Sequence, residues 1–217
     1  MSDYHAALSV FAASGVYAIT DEHLLSGTRL VPAVEQALAG GVRIIQYRCK
    51  TGEFRDRVAQ AAALKTLCHS AQASLIINDD IDLCQAVEAD GVHLGQSDTA
   101  LAEARYRLGS TAIIGASCHD QPALVAAAEK QGASYIALGR FFPSLTKPGA
   151  PAASIANLRQ LRQQTRLPIV AIGGVTADNG KALIDAGADM LAVINYLFAA
   201  QDIKARAREL NSLFSEF

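Results

Sequence analysis

The stretch Ala39-Gly40-Gly41-Val42-Arg43-Ile44-Ile45-Gln46-Tyr47-Arg48-Cys49-Lys50 holds, in order, a helix end, glycines, an apolar strand and a polar cluster. Its first half recurs at Ala89-Asp90-Gly91-Val92, Gln131-Gly132-Ala133-Ser134 and Ala186-Gly187-Ala188-Asp189. Glycine suits the left-handed residue that ends a helix, and a period of roughly 50 residues fits two strand-helix units. Apolar runs predict strands at Val16 to Thr20, Ile44 to Arg48, Leu75 to Ile77, Val92 to Leu94, Ile113 to Ala116, Tyr135 to Leu138, Ile169 to Ile172 and Leu191 to Ile194. Between them, Val31 to Ala39, Arg55 to Ala71, Ala123 to Gln131 and Ile155 to Gln163 have helical periodicity. Strict alternation implies a parallel sheet, and four repeated pairs of units predict a (β/α)8 TIM barrel. The alternative is an open doubly wound sheet, but no GxGxxG follows the first strand.

With 217 residues the chain lies near the lower size limit of such a barrel, so one domain over 1–217 is expected. Residues 1–14 read as an N-terminal extension and 199–217 as a C-terminal helix. A net charge of −2 supplies no overall positive field for nucleic acid or an anionic membrane, which leaves small molecules as the expected partners. Cys49, Cys68, Cys84 and Cys118 form no CxxC pair and read as reduced thiols filling apolar space. The start lacks the pattern of a signal peptide, and no apolar run approaches the ~20 residues of a membrane span. A soluble cytoplasmic protein is expected.

In a parallel barrel the residues after the strands gather at one end, where such folds bind ligands. Alternation along the second strand puts Gln46, Arg48 and Lys50 on one face, with Tyr47 and Cys49 on the other. Two inward cations without partners call for a bound anion; the alternative is an internal ion pair with a barrel carboxylate. Asp79 and Asp98 end neighbouring strand units, and two hard oxygen donors beside a diphosphate suit an octahedral Mg²⁺ site, although Asp after a strand also commonly caps a helix. That capping role fits Asp80, directly before Ile81-Asp82-Leu83, while Asn78 either orients Asp79 or meets a heteroaromatic ring. Gly139 to Ala153 is the longest candidate loop and a possible lid; Ser144, Thr146 and Lys147 within it could close over phosphate oxygens, or simply be solvated. Gly173-Gly174 and Ile194-Asn195 follow the seventh and eighth strands, where barrels bind phosphate on backbone N–H groups. None of His5, His23, His69, His93 and His119 shows metal-ligand spacing, and a structural or surface role is expected for each.

Taken together, several segments resemble thiamine phosphate synthase from about Gly15 to Phe198. They are Tyr17-Ala18-Ile19-Thr20-Asp21, Gln46 to Lys50, Ile77-Asn78-Asp79-Asp80, His93-Leu94-Gly95-Gln96-Ser97-Asp98, Gly115-Ala116-Ser117-Cys118-His119, Gly139 to Pro148 and Ile172-Gly173-Gly174-Val175. The resemblance implies a transferase that joins a hydroxymethylpyrimidine diphosphate to a hydroxyethylthiazole phosphate with release of pyrophosphate. It further implies that Gln46, Arg48, Lys50, Asn78, Ser117 and Lys147 hold the pyrimidine diphosphate, with Arg48, Lys50, Ser117 and Lys147 in catalysis. Asp79 and Asp98 would bind Mg²⁺, and Ser144, Leu145, Thr146, Gly173 or Gly174, Ile194 and Asn195 would line the thiazole phosphate site. Three positions depart from the family's habit: Cys49 where an acid is usual, Ser144 for Thr, and Asn195 for Ser. A thiazole tautomerase of the same barrel family and a non-catalytic barrel that senses thiamine phosphates are the rival readings.

Overall fold

The computed structural model describes residues 14–143 and 152–214. Eight parallel strands close into a barrel in sequence order. They are β1 (Gly15–Ile19), β2 (Ile44–Tyr47), β3 (Ser74–Asn78), β4 (Gly91–Leu94), β5 (Ile113–His119), β6 (Tyr135–Gly139), β7 (Ile169–Ile172) and β8 (Met190–Val193). The helices are α1 (Leu30–Ala39), α2 (Phe54–Ser70), α3 (Ile81–Ala86), α4 (Leu101–Leu108), α5 (Pro122–Lys130), α6 (Ile155–Gln164), α7 (Ala177–Ile184), α8 (Asn195–Phe198) and α9 (Ile203–Ser212). The expected barrel is therefore present. Within the stretch 199–217, expected as a C-terminal helix, α9 covers Ile203–Ser212, and Asp202 caps it by accepting from the Ala205 amide at 2.8 Å.

Alternation along each strand sorts side chains into two cores. Val16, Ala18, Ile45, Leu75, Ile77 and Val92 face outward into the shell shared with the helices. Tyr17, Ile19, Ile44, Ile76, Ile113, Tyr135, Val170 and Met190 fill the barrel. Full burial of one such aliphatic side chain contributes about 1.5–3 kcal/mol. Asn211 of α9 holds the barrel's N-terminal end, accepting from the Val16 amide at 3.2 Å and donating to the Gly40 carbonyl at 3.2 Å.

The glycine repeat has a shared conformation at three of its four places: Gly41, Gly132 and Gly187 have φ of 99°, 80° and 103°. Gly91 differs. Glu88 takes the positive φ before β4, and Gly91 lies inside the strand, where an added methyl would sit 1.8 Å from the Ile113 carbonyl oxygen. Its glycine is required by close backbone approach to β5 rather than by a helix end. Gly91→Ala is expected to cost about 1–3 kcal/mol, the usual range for overpacking, read as a lower denaturant midpoint at unchanged slope.

Candidate functional site at the strand ends

Polar residues converge where β2, β3, β4 and β5 end. Asn78, the last residue of β3, is in register with His93 of β4, which is in register with Gly115 of β5. Asp79 follows in the left-handed region at φ 63°, a conformation that Asp tolerates better than most residues, and its amide donates to the His93 carbonyl at 2.8 Å. That turn aims the Asp79 carboxylate at Lys50 and at Asp98. Lys50 Nζ donates to Asp79 Oδ2, which also accepts from Asn78 Nδ2 at 2.7 Å, so Asn78 orients the carboxylate. Asp98 closes a turn after β4 by accepting from the Gly95 amide at 2.6 Å.

The two neighbouring carboxyls are shifted in opposite directions. Burial pushes the Asp79 carboxyl up, but Lys50, Asp98 and Asn78 outweigh it and hold the group below the ordinary Asp range. Burial and the neighbouring Asp79 hold Asp98 above that range, against the Gly95 amide and the Lys50 charge. Adjacent carboxylates at a cleft have the donor chemistry of a hard divalent-cation site. Among the described residues no group of three or more His, Cys, Asp or Glu is placed to hold a metal, so further oxygens would have to come from substrate and water. Asp80 caps α3 as expected, accepting from the Leu83 amide at 2.8 Å while pairing with Arg57 at 2.7 Å. A cleft of about 340 Å³ opens beside this cluster, lined by Lys50, Arg57, Asn78, Asp79 and Asp80.

The expectation for the second strand needs correction. β2 ends at Tyr47, so the two-residue alternation does not run on to Lys50. Gln46 points into the barrel and is 3% exposed, and Tyr47 points outward to Gln60, as alternation requires. Beyond them the chain turns: Arg48 lies 4.0 Å from Asp21, and Arg48 and Cys49 line one cleft of about 240 Å³ between the β1 and β2 loops. The two cations are thus ion-paired to Asp21 and Asp79, the alternative weighed above, and Lys50 is half-exposed, so their placement alone does not demand an anion.

Glu22, which sequence reasoning passed over, shapes this turn. Its Oε2 accepts from the amides of Lys50 and Thr51 at 3.1 and 3.0 Å, from Thr51 Oγ1 at 2.7 Å and from Cys49 Sγ at 3.4 Å. Although burial raises the Glu22 carboxyl, the donors from Thr51, Cys49 and Lys50 hold it below its ordinary value. Serine at position 49 can make the same bond to Glu22. Cys49→Ser is expected to keep kcat/KM within about a few-fold, under the ~1.4 kcal/mol of a decade, as measured by steady-state kinetics.

Ser117 sits at a β-bulge where the β5–β6 register shifts between Ser117 and His119. The bulge turns it toward His93, whose Nε2 lies 2.9 Å from Ser117 Oγ, and Gln96 Nε2 holds the Ser117 carbonyl at 2.5 Å. Gly173 and Gly174 have φ of 104° and 64°, and added methyls would strike Arg140 at 2.3 Å and the Pro143 carbonyl at 2.3 Å. Close packing against the segment leaving β6 accounts for both glycines before any ligand is considered. Ile194 packs against the barrel-filling side chains and precedes α8, which opens with Asn195. Ser144, Leu145, Thr146 and Lys147 lie outside the described residues, as does most of the candidate lid.

A family model described as "Thiamine monophosphate synthase" matches residues 16–197. A thiamine-phosphate synthase of Alcanivorax borkumensis is 51% identical over 203 residues, covering 92% of this chain and 94% of that protein. A thiamine-phosphate synthase of Thiobacillus denitrificans is 49% identical over 201 residues, covering 93% and 95%. Among solved structures, a thiamine phosphate pyrophosphorylase from Pyrococcus furiosus superposes with a TM-score of 0.87 at 32% identity, over 95% of this chain and 98% of that one.

Proposed function

The chain belongs to the thiamine monophosphate synthase family, and we propose from that membership that it joins 4-amino-5-hydroxymethyl-2-methylpyrimidine diphosphate to hydroxyethylthiazole phosphate, giving thiamine phosphate and pyrophosphate, or to a carboxythiazole phosphate tautomer with loss of CO2 besides. The observation that carries the reading to particular residues is the meeting of Lys50, Asp79 and Asp98, from three strand ends, beside one cleft.

As the C–O bond to the diphosphate breaks, negative charge grows on the leaving group. Lys50 supplies a cation at this cleft and Arg48, in the cleft between the β1 and β2 loops, is proposed as a second, both stabilising the departing charge more than the bound substrate. Lys147, on the segment after β6, is proposed as a third cation for the same group. Asp79 and Asp98 fit Mg²⁺, which when bound would neutralise diphosphate oxygens as a Lewis acid. Gln46, Asn78 and Ser117 are assigned to holding the pyrimidine diphosphate. The thiazole phosphate is assigned to Ser144, Leu145, Thr146, Gly173 or Gly174, Ile194 and Asn195. The pyrimidine amino group can delocalise the developing benzylic-type cation, and the thiazole nitrogen, held by its phosphate, attacks it. No protein nucleophile is required, and orientation with electrostatics carries the rate.

We further place the protein in the cytoplasm: its four cysteines are all free, and no helix among the described residues is long and apolar enough to cross a membrane. A tautomerase would have no use for the paired carboxylates, which favours the joining reaction over isomerisation. Chromatography coupled to mass spectrometry, after incubation with either substrate alone or both together, separates the readings. A condensed product appearing only with both substrates is expected; conversion of the thiazole phosphate alone to an isomer, with no condensation, would assign the chain to the tautomerase class.

A further inference from the structure

Five polar side chains from five strands cross the barrel interior in one hydrogen-bonded file. Gln46 Nε2 donates to the Tyr17 hydroxyl at 2.9 Å, and that hydroxyl is 2.6 Å from the Tyr135 hydroxyl. Tyr135 is 2.9 Å from His93 Nδ1, and His93 Nε2 is 2.9 Å from Ser117 Oγ. Gln46 and the two tyrosines are buried, whereas Ser117 at the far end is half-buried. The tyrosine and histidine rings pack on one another, with centroids 5.8 Å apart for Tyr17 and Tyr135 and 5.5 Å for Tyr135 and His93. Gly115 leaves the room they need: a methyl there would lie 2.1 Å from the Tyr135 ring and 2.5 Å from His93 Nδ1.

The amide nitrogen of Gln46 can only donate, so the Tyr17 oxygen accepts from it, and the polarity in which each later member passes its own proton onward continues that direction. In that polarity Tyr17 donates to Tyr135, Tyr135 donates to His93 Nδ1, and His93 carries hydrogen on Nε2, which donates to Ser117 Oγ. The serine proton is then the one not engaged within the file. We propose that Tyr17, Tyr135 and His93 are positioning residues that set His93 as the Nε2–H tautomer and direct the Ser117 hydroxyl as a donor toward an acceptor atom of the bound pyrimidine diphosphate. The identity of that ligand rests on the function proposed above; the polarity of the file does not. Burial holds both phenols protonated, Tyr135 well above the ordinary tyrosine range and Tyr17 likewise raised, so each keeps the proton it must pass along.

The ¹⁵N NMR signals of His93 in the full, ligand-free chain decide the polarity, with His93→Gln used only for assignment. At about pH 8, above the ordinary histidine range, a protonated Nε2 beside an unprotonated Nδ1 is expected. Hydrogen on Nδ1, or on both nitrogens, overturns the proposal whatever the enzyme does. Gly115→Ala, which drives a methyl between Tyr135 and His93, should mix or invert the tautomers; an undisturbed Nε2–H tautomer in a folded Gly115→Ala protein overturns the dependence on Tyr135. Ligand recognition is then read by calorimetry with pyrimidine diphosphate. Tyr135→Phe and Ser117→Ala should each weaken binding about tenfold, and the double variant should bind no more weakly than Ser117→Ala alone. Losses that add in the double variant would show that Tyr135 does not act through Ser117. Absent binding to the unaltered chain would count against the assigned substrate while leaving the tautomer result standing.

Discussion

Asp79→Asn and Asp98→Asn are each expected to lower kcat/KM by roughly 100- to 1000-fold, about 2.7–4 kcal/mol of transition-state stabilisation. The size follows from what each change removes. Asp79 is held ionised by Lys50 and Asn78, so the amide deletes a charge that the site keeps in place. Burial and Asp79 raise the Asp98 carboxyl above the ordinary Asp range, a bound cation would favour its ionised form, and asparagine cannot supply that anionic ligand. Little stability should be lost, because the amide oxygen at position 98 can still accept from the Gly95 amide now bonded at 2.6 Å. Steady-state rates across a Mg²⁺ titration, beside thermal melts of the same samples, are the measurement. Rates within a few-fold of the unaltered chain at every Mg²⁺ concentration would remove the metal assignment.

Lys50→Ala is expected to cost roughly 100-fold in kcat, about 2.7 kcal/mol, with a much smaller change in substrate affinity. The lysine side chain is 48% exposed in its pair with Asp79, and partly exposed ion pairs are worth only about 0–1 kcal/mol to stability. The residue is thus a poor candidate for a structural role and a good one for charge that matters when pyrophosphate leaves. Rapid-quench turnover gives kcat, and calorimetry with pyrimidine diphosphate alone gives the affinity. Partial recovery by Lys50→Arg is expected, since the charge returns with a different shape. If kcat holds while affinity collapses, Lys50 is a ground-state anchor and the leaving-group argument fails.

Strand positions and the barrel were legible because each unit combines a short apolar run with a helix of matching period. The fine geometry was less so. The glycine at 91 looks like its partners in the repeat, yet the chain uses Glu88 for the helix end and spends Gly91 on contact with β5. Alternation placed Gln46 and Tyr47 well and then failed at Arg48, because pairing stops at Tyr47 and Glu22 reorganises the turn through four hydrogen bonds to residues 49–51. A carboxylate some 28 residues upstream leaves no local trace. The motif at Asn78-Asp79 was readable because it acts locally, whereas the file from Gln46 to Ser117 depends on Tyr17 and Tyr135, 118 residues apart, meeting inside the barrel. Each of those tyrosines alone reads as core. His93 likewise reads as structural, and only the closed barrel shows it bridging Tyr135 and Ser117.

The most direct test of the account is the stoichiometry of pyrophosphate release by the purified chain with pyrimidine diphosphate and thiazole phosphate, with Mg²⁺ and then with excess EDTA. One pyrophosphate per thiamine phosphate formed is expected with Mg²⁺, and neither product with EDTA. Full turnover in EDTA would contradict the role given to Asp79 and Asp98, and no condensation by the folded, Mg²⁺-supplied chain would contradict the proposed reaction itself.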